Sequence, residues 1–463
     1  MNKKYYLFAA AAAVLSLTAC SSDDDAVQTN GAKTVAVNQA VDFDIYTASA
    51  TRAGDAGIQT TSTLQASSLQ GFGVFAQYSN GDGNTDGAYS NTTVSPSNFM
   101  WNEHVHYSAS AWTYSPLKYW PNETKKDSQS PQAASDHVDK LSFFAYAPYV
   151  AEATSTYTGQ LTGPTYSANP AKDDSKITSG GGGIEAVIAN NATGDDPWVR
   201  YAVATSPNAS VDLLWGVAPS GGLSYTDVSG GTTTVPQGKP LVDLVKPNKD
   251  QKIKFLFQHA LARIGMTIVA AVDQIAPGGN LDSNTKIVVK SVQLDEVTGT
   301  KQLKMKGALN LNNTTAYQAR WEETSGDLTG LTVTNADLLN PDIEWDTDAA
   351  TSFAKAGVTT TEKPVIKDGS GNLHYFMVIP NHANTDLQVT ITYYVITHDP
   401  KVAGGYSVVE NVIKKTVTIN NLTNNKAYNL KLILGMTSVK LDAEVADWQV
   451  DGSTDVNLPR NNE

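Results

Sequence analysis

The sequence predicts an all-β protein, two β-sandwich domains in tandem behind a short N-terminal leader. Three observations carry this expectation. Runs rich in Val, Ile, Phe, Tyr and Thr recur along the chain, separated by Gly, Asn, Asp, Ser and Pro. That is the rhythm of strands and turns. Several runs alternate apolar and polar residues, while helical periodicity is scarce. The 463 residues are 41% hydrophobic and 17% charged, enough apolar material for real cores, and at roughly 150 residues per domain the length allows about three domains, or two large ones once the leader is removed.

The leader comes first. Met1-Asn2-Lys3-Lys4 is a basic start, and Tyr5 to Ala19 is an apolar stretch too short to span a bilayer. It closes on Leu17-Thr18-Ala19-Cys20. Small residues before a single Cys resemble a bacterial lipobox, whose Cys carries diacylglycerol. An ordinary signal peptide with an incidental Cys is the alternative. The expected division is therefore a signal peptide over 1–19 and an acidic flexible linker over 20–33, the latter holding Asp23-Asp24-Asp25.

The first sandwich is expected over 34–235. Val35, Val37, Val41, Phe43 and Ile45 fall on odd positions and Asn38, Asp42 and Asp44 on even ones, so Thr34 to Ile45 reads as a half-buried strand. A small-residue loop from Ala48 to Gly57 follows, with Arg52 in it. Further strands are expected at Gly71–Tyr78, Lys140–Pro148 and Val211–Val217, with loops at Ser79–Ser97, Asn122–Asp136 and Thr154–Thr193. Gly, Pro and Lys crowd residues 220–251 and place the domain boundary there. The second sandwich, 236–463, is expected to hold strands at Ile253–Phe257, Ile264–Val272, Thr285–Leu294, Leu373–Ile379, Leu387–Ile396, Lys414–Ile419, Ala427–Leu434 and Val439–Val445. One helical turn is expected at Gln258–Arg263.

Several kinds of chemistry are disfavoured. A net charge of −13 repels phosphate backbones and argues against nucleic acid as a partner. A single Cys leaves no internal disulfide and no cysteine-cluster metal site. Asp82-Gly83-Asn84-Thr85-Asp86-Gly87 opens like a calcium loop, but Thr93 stands where a bidentate Glu is required. Glu103-His104-Val105-His106 spaces two imidazoles on one strand face, yet no third zinc ligand is identifiable. Gly180 to Gly183 lacks the Lys-Ser/Thr of a phosphate loop. No nucleophile-elbow or zinc-protease motif occurs. The expectation is a protein without catalytic residues, metal or cofactor. Trp101, Tyr107, Trp112, Tyr114, Tyr119 and Trp120 form an aromatic stretch. It is read as sandwich core, Trp112, Tyr119 and Trp120 included, with a sugar-stacking platform as the alternative.

Taken in order, several segments resemble the fimbrillin family of Bacteroidales, the Mfa-like or type V pilin lipoproteins. They are the lipobox with its acidic tail, Thr51-Arg52-Ala53 followed by Phe72-Gly73-Val74-Phe75, Trp112 to Pro121 leading to Leu141–Pro148, Asp212–Gly216, Phe255–Ile264, Tyr375–Pro380, Tyr428–Leu432 and Ala443–Trp448. The resemblance implies two transthyretin-like sandwiches. It also implies an outer-membrane lipoprotein precursor anchored through Cys20, cut by an Arg-specific protease between Arg52 and Ala53, and ending in an extracellular fimbrium that serves adhesion. Related pilin subunits are the implied partners, besides a host or bacterial surface ligand. Loss of the first strand would leave an apolar trough able to take a foreign strand. Val439, Leu441, Ala443 and Val445, which alternate with Lys440, Asp442 and Glu444, are the expected donor residues. The competing readings are a monomeric cell-surface glycan-binding lipoprotein and, less well supported, a surface hydrolase. The pattern does not separate shaft, tip and anchor subunits.

Overall fold

The structure is a computed structural model and describes residues 39–47, 58–66, 70–80, 86–92, 97–121, 124–125, 137–150, 182–188, 196–271, 283–297, 303–335, 338–435 and 439–447. The described residues, all of which lie within 36–463, belong to one compact unit. The described elements are strands, apart from the short helices Thr61–Gln65 and Ala349–Ala354 and a 3-10 turn at Pro207–Ala209. No described helix is long and apolar enough to cross a membrane.

The first and largest sheet runs in the order Phe43–Thr47, Ile253–His259, Leu214–Val217, Lys140–Ala147, Phe72–Ser79, Met100–Ser108 and Ala111–Thr113, with Leu241–Val245 also paired to Lys140–Ala147. Its central strands are covered on both faces. Phe75, Phe144, Tyr146 and Trp215 enter one apolar cluster, and Phe72, Val74, Phe143 and Phe255 enter another. This explains why Leu141-Ser-Phe-Phe-Ala-Tyr-Ala147 is a near-continuous apolar run: a strand buried on both sides does not alternate.

Among the described residues two two-stranded sheets, Leu223–Thr226 with Thr232–Val235 and Thr124–Lys125 with His137–Val138, and three further large sheets complete the frame. One joins Gly183–Ile188, Trp198–Ala202, Lys304–Asn310 and Arg320–Asp327. Another runs Lys363–Pro364, Ala262–Ala270, Lys426–Leu434 and Val439–Asp447, with Phe376–Val378 on Ala262–Ala270. The last runs Leu331–Val333, Thr285–Glu296, Thr385–His398 and Tyr406–Ile419. The expected line at residue 236 is not drawn in this pairing. Leu241–Val245 and Ile253–His259 lie in the first sheet, and Trp198–Ala202 pairs with Lys304–Asn310.

Several local expectations need correction. The Gly- and Pro-rich stretch at 220–251 holds strands at Leu223–Thr226, Thr232–Val235 and Leu241–Val245. The Thr154–Thr193 loop contains the strand Gly183–Ile188. Gln258–Arg263 forms no helical turn: the chain leaves the first sheet at His259 and enters another at Ala262, across the buried pair Ala260 and Leu261. The strand expected to begin at Lys414 already begins at Tyr406, because Ser407 to Glu410 pair with Thr397 to Tyr394. Their mixed composition hides that pairing.

Candidate assembly surfaces

The first strand, Phe43–Thr47, forms one edge of the largest sheet and pairs parallel with Ile253–Phe257. The alternation read from the sequence is realised here: Val41, Phe43 and Ile45 are buried. Phe43 sits inside an aromatic ring of Phe72, Tyr114, Phe143 and Phe255, with centroids 5.6 to 6.1 Å away. Val35 and Val37 lie outside the described residues.

Backbone bonds hold the approach to this strand. Val41 donates to the Lys118 carbonyl at 2.9 Å and Trp120 donates to that of Gln39 at 3.0 Å. The Tyr114 hydroxyl donates to the Val41 carbonyl at 2.7 Å. Burial pushes the Tyr114 pKa upward, so the phenol stays protonated and keeps donating. At the strand's far end, the Thr47 and Thr61 hydroxyls lie 3.2 Å apart, and the Thr47 N–H donates to Thr61 Oγ1. The helix that Thr61 opens is held by a capping box between Thr60 and Thr63.

The described residues on either side of 48–57 are thus held to the body. On its C-terminal side the Gln59 N–H donates to Asp212 Oδ2, which also lies 2.7 Å from His259 Nδ1. Asp212 and His259 are fully buried, and His259 ends the strand that supports Phe43–Thr47. Arg52 and Ala53 fall within 48–57 and, like Cys20, lie outside the described residues.

The last described strand, Val439–Asp447, is the edge of its own sheet among the described residues and pairs antiparallel with Lys426–Leu434. Val439, Leu441, Ala443 and Val445 stand opposite Leu434, Leu432, Leu430 and Tyr428. Leu441 and Ala443 are half-buried against the larger core, whereas Val445 is 51% exposed. Among the described residues this strand is hydrogen-bonded to one strand, as Phe43–Thr47 is, and runs close to Tyr406–Ile419, but its described side chains are less deeply buried than Phe43 and Ile45. Trp448 lies outside the described residues.

The remaining candidates resolve into structural roles. Trp112, Tyr114 and Trp120 are buried, as expected of core, but Tyr119 is 49% exposed. Tyr119 follows the turn through Pro116 and its neighbour Trp120 takes the inward position, so only one of the pair can point in. Trp101 is also largely exposed. The His104 ring stacks on Tyr149 with centroids 3.9 Å apart and hydrogen-bonds the Gln70 carbonyl. Burial lowers its pKa. Among the described residues no group of three or more His, Cys, Asp or Glu is placed to hold a metal. Asp86 accepts from the Val138 N–H and ion-pairs with Lys140, which makes it a turn brace. Gly183 starts a strand with φ +102°, a conformation that favours glycine. A cleft of about 350 Å³ lined by Gln318, Arg320, Trp321, Asn381 and His382 was not anticipated, because its residues come together only through the fold.

No protein-family model matches the chain. It is 25% identical over 437 residues to the fimbrium subunit Fim1C of Phocaeicola vulgatus, across 91% of this chain and 92% of the relative. It also resembles the crystal structure of a fimbrial protein from Bacteroides vulgatus ATCC 8482, with TM-score 0.54 and 20% identity over 89% of this chain and 100% of that one. At that identity the likeness speaks for the fold.

Proposed function

We propose that this chain is a fimbrial subunit, exported as a surface lipoprotein through Cys20, cut between Arg52 and Ala53, and polymerised by strand replacement into a fimbrium that serves adhesion. Its place is the outer membrane surface before maturation and the extracellular fibre after it. Its partners are further copies or related pilins, and its role is structural rather than catalytic. The likeness to Fim1C along most of both chains supports the fimbrial part of this reading.

The observation that carries the mechanism is the position of the first strand. Phe43–Thr47 is a sheet edge that pairs with one strand among the described residues, and Val41 before it and Phe43 and Ile45 within it are buried. The chain after it runs through Arg52. Each of these side chains is worth about 1.5–3 kcal/mol when buried, an upper estimate because an unfolded chain hides part of that area. A cut at Arg52 leaves this energy in place until the strand departs. Departure then uncovers the aromatic trough of Phe72, Tyr114, Phe143 and Phe255 together with the unpaired edge of Ile253–His259. An incoming strand with alternating apolar residues repairs both. The donor is the Val439, Leu441, Ala443 and Val445 face of a neighbour, whose release breaks one antiparallel pairing and the half-burial of Leu441 and Ala443. Head-to-tail insertion is heterologous and grows a filament.

The test is electron microscopy of sheared surface material together with N-terminal sequencing. Wild-type subunits begin at Ala53. Arg52→Ala leaves a folded, lipidated monomer, and deletion from Thr437 onward leaves cleavage intact but blocks polymerisation of a shaft subunit. Filaments built from uncut Arg52→Ala protein would sink the mechanism.

A further inference from the structure

We infer that the free edge of Tyr406–Ile419 is a self-association surface that pairs antiparallel with the same strand of a second copy of this chain. Among the described residues this strand is hydrogen-bonded to Thr385–His398 alone and lies at the end of its sheet, with Val439–Asp447 running close to it. It is exposed on both faces for most of its length. Val408, Val409 and Val412 are 40%, 53% and 57% exposed, among the largest exposures of any apolar side chain described. A long edge strand with bare valines is a template for strand addition.

The hydrogen-bond phase shows which residues face outward. Asp399 donates to the Gly405 carbonyl at 2.9 Å, and the register from His398↔Tyr406 to Thr385↔Ile419 carries no bulge. In an antiparallel ladder, bonded pairs recur at every second residue. The odd-numbered residues of Tyr406–Ile419 therefore bond Thr385–His398. Val408, Glu410, Val412, Lys414 and Thr416 aim their N–H and C=O groups away from it.

A two-fold partner must match even residues with even residues, and charge then selects one register. Centred on Val412, Glu410 of one copy stands opposite Lys414 of the other, twice over. Val412 meets Val412, and Val408 meets Thr416. Centring on Glu410 or Lys414 opposes like charges directly, and centring on Asn411 or Ile413 leaves both charges without an opposite partner. Opposite charges across an antiparallel pair are favourable and like charges unfavourable. Glu410 already lies near Lys290 and accepts from the Tyr394 hydroxyl, which holds its carboxylate on the face where Lys414 of the second copy arrives. The contact is isologous and closes at two copies. It is separate from strand replacement, which is head-to-tail, so this surface links chains or filaments side by side and does not depend on the proposed maturation.

Sedimentation equilibrium of the full chain, with Arg52→Ala to keep the first strand in place, measures this contact alone. A dimer is expected, weakening as salt rises. Glu410→Lys and Lys414→Glu each weaken it roughly tenfold, since each turns two attractive pairs into repulsive ones. The double variant restores it. Val412→Pro abolishes it without unfolding the chain, because the lost N–H faces outward and an edge strand accommodates proline there. A monomer at every concentration, an open-ended series of oligomers, a dimer indifferent to these changes, or a folded double variant that stays monomeric would each overturn the assignment.

Discussion

Phe43 stacks on Phe255 with ring centroids 6.1 Å apart and planes at 17°, although the two residues lie on strands far apart in sequence. They sit on adjacent parallel strands, where Ile45, rather than Phe43, is the register partner of Phe255. The stack is therefore diagonal, and Phe43 reaches across it to Phe72 and Phe143 as well. This ring arrangement, together with the parallel ladder to Ile253–Phe257, holds the first strand.

Removing it should loosen that strand more than any change at the other terminus. Phe43→Ala is expected to cost about 3–5 kcal/mol in urea denaturation of the uncut chain. Val445→Ala, at a site 51% exposed, should stay within about 0.5–1 kcal/mol. Equal costs at the two sites would contradict the picture of a deeply buried first strand and a less deeply buried last one.

Adjacent aromatics should behave in opposite ways. Trp120 is 2% exposed and Tyr119 49% exposed. Trp120→Ala should lower stability by about 3–5 kcal/mol and Tyr119→Ala by less than about 1 kcal/mol. Thermal melts of the two variants decide it. If Tyr119→Ala also abolishes binding to a surface glycan, Tyr119 belongs to a ligand platform.

Anchoring should depend on one sulfur. Cys20 is the only Cys in the chain, and lipid attached there adds about 0.8 kcal/mol of membrane affinity per buried CH₂. Cys20→Ala should move the precursor out of the outer-membrane fraction or stall it before maturation. Unchanged fractionation would remove lipidation from the proposal.

Acid should weaken the fold near neutral pH through His104. Burial lowers its pKa from the ordinary value of 6.5, so the unfolded chain takes up a proton more readily than the folded one. The stabilisation is complete above pH 6.5 and declines as the pH falls toward and through the lower folded value. His382 shifts the same way, again through burial. The slope of stability against pH below 6.5 should flatten in His104→Gln, whatever the variant's absolute stability. An unchanged slope would mean that His104 does not titrate with unfolding.

Local patterns in the chain already determined the strand-rich class and much of the core. Val41, Phe43 and Ile45 alternate because one face of their strand meets the interior. Leu141 to Ala147 do not alternate because both faces of theirs do. These signals live in neighbouring side chains and survive without knowledge of partners. Pairing is a different kind of information. That Phe43–Thr47 lies parallel to Ile253–Phe257, or that Trp198–Ala202 shares a sheet with Lys304–Asn310 across the expected domain line, depends on which distant edges are left open once everything else has packed. A strand's side chains say that it needs a partner and carry little to say which one. The same holds at single residues. Tyr119 and Trp120 are adjacent aromatics in sequence, and the fold, with Trp120 backbone-bonded to Gln39, turns Trp120 inward and leaves Tyr119 exposed.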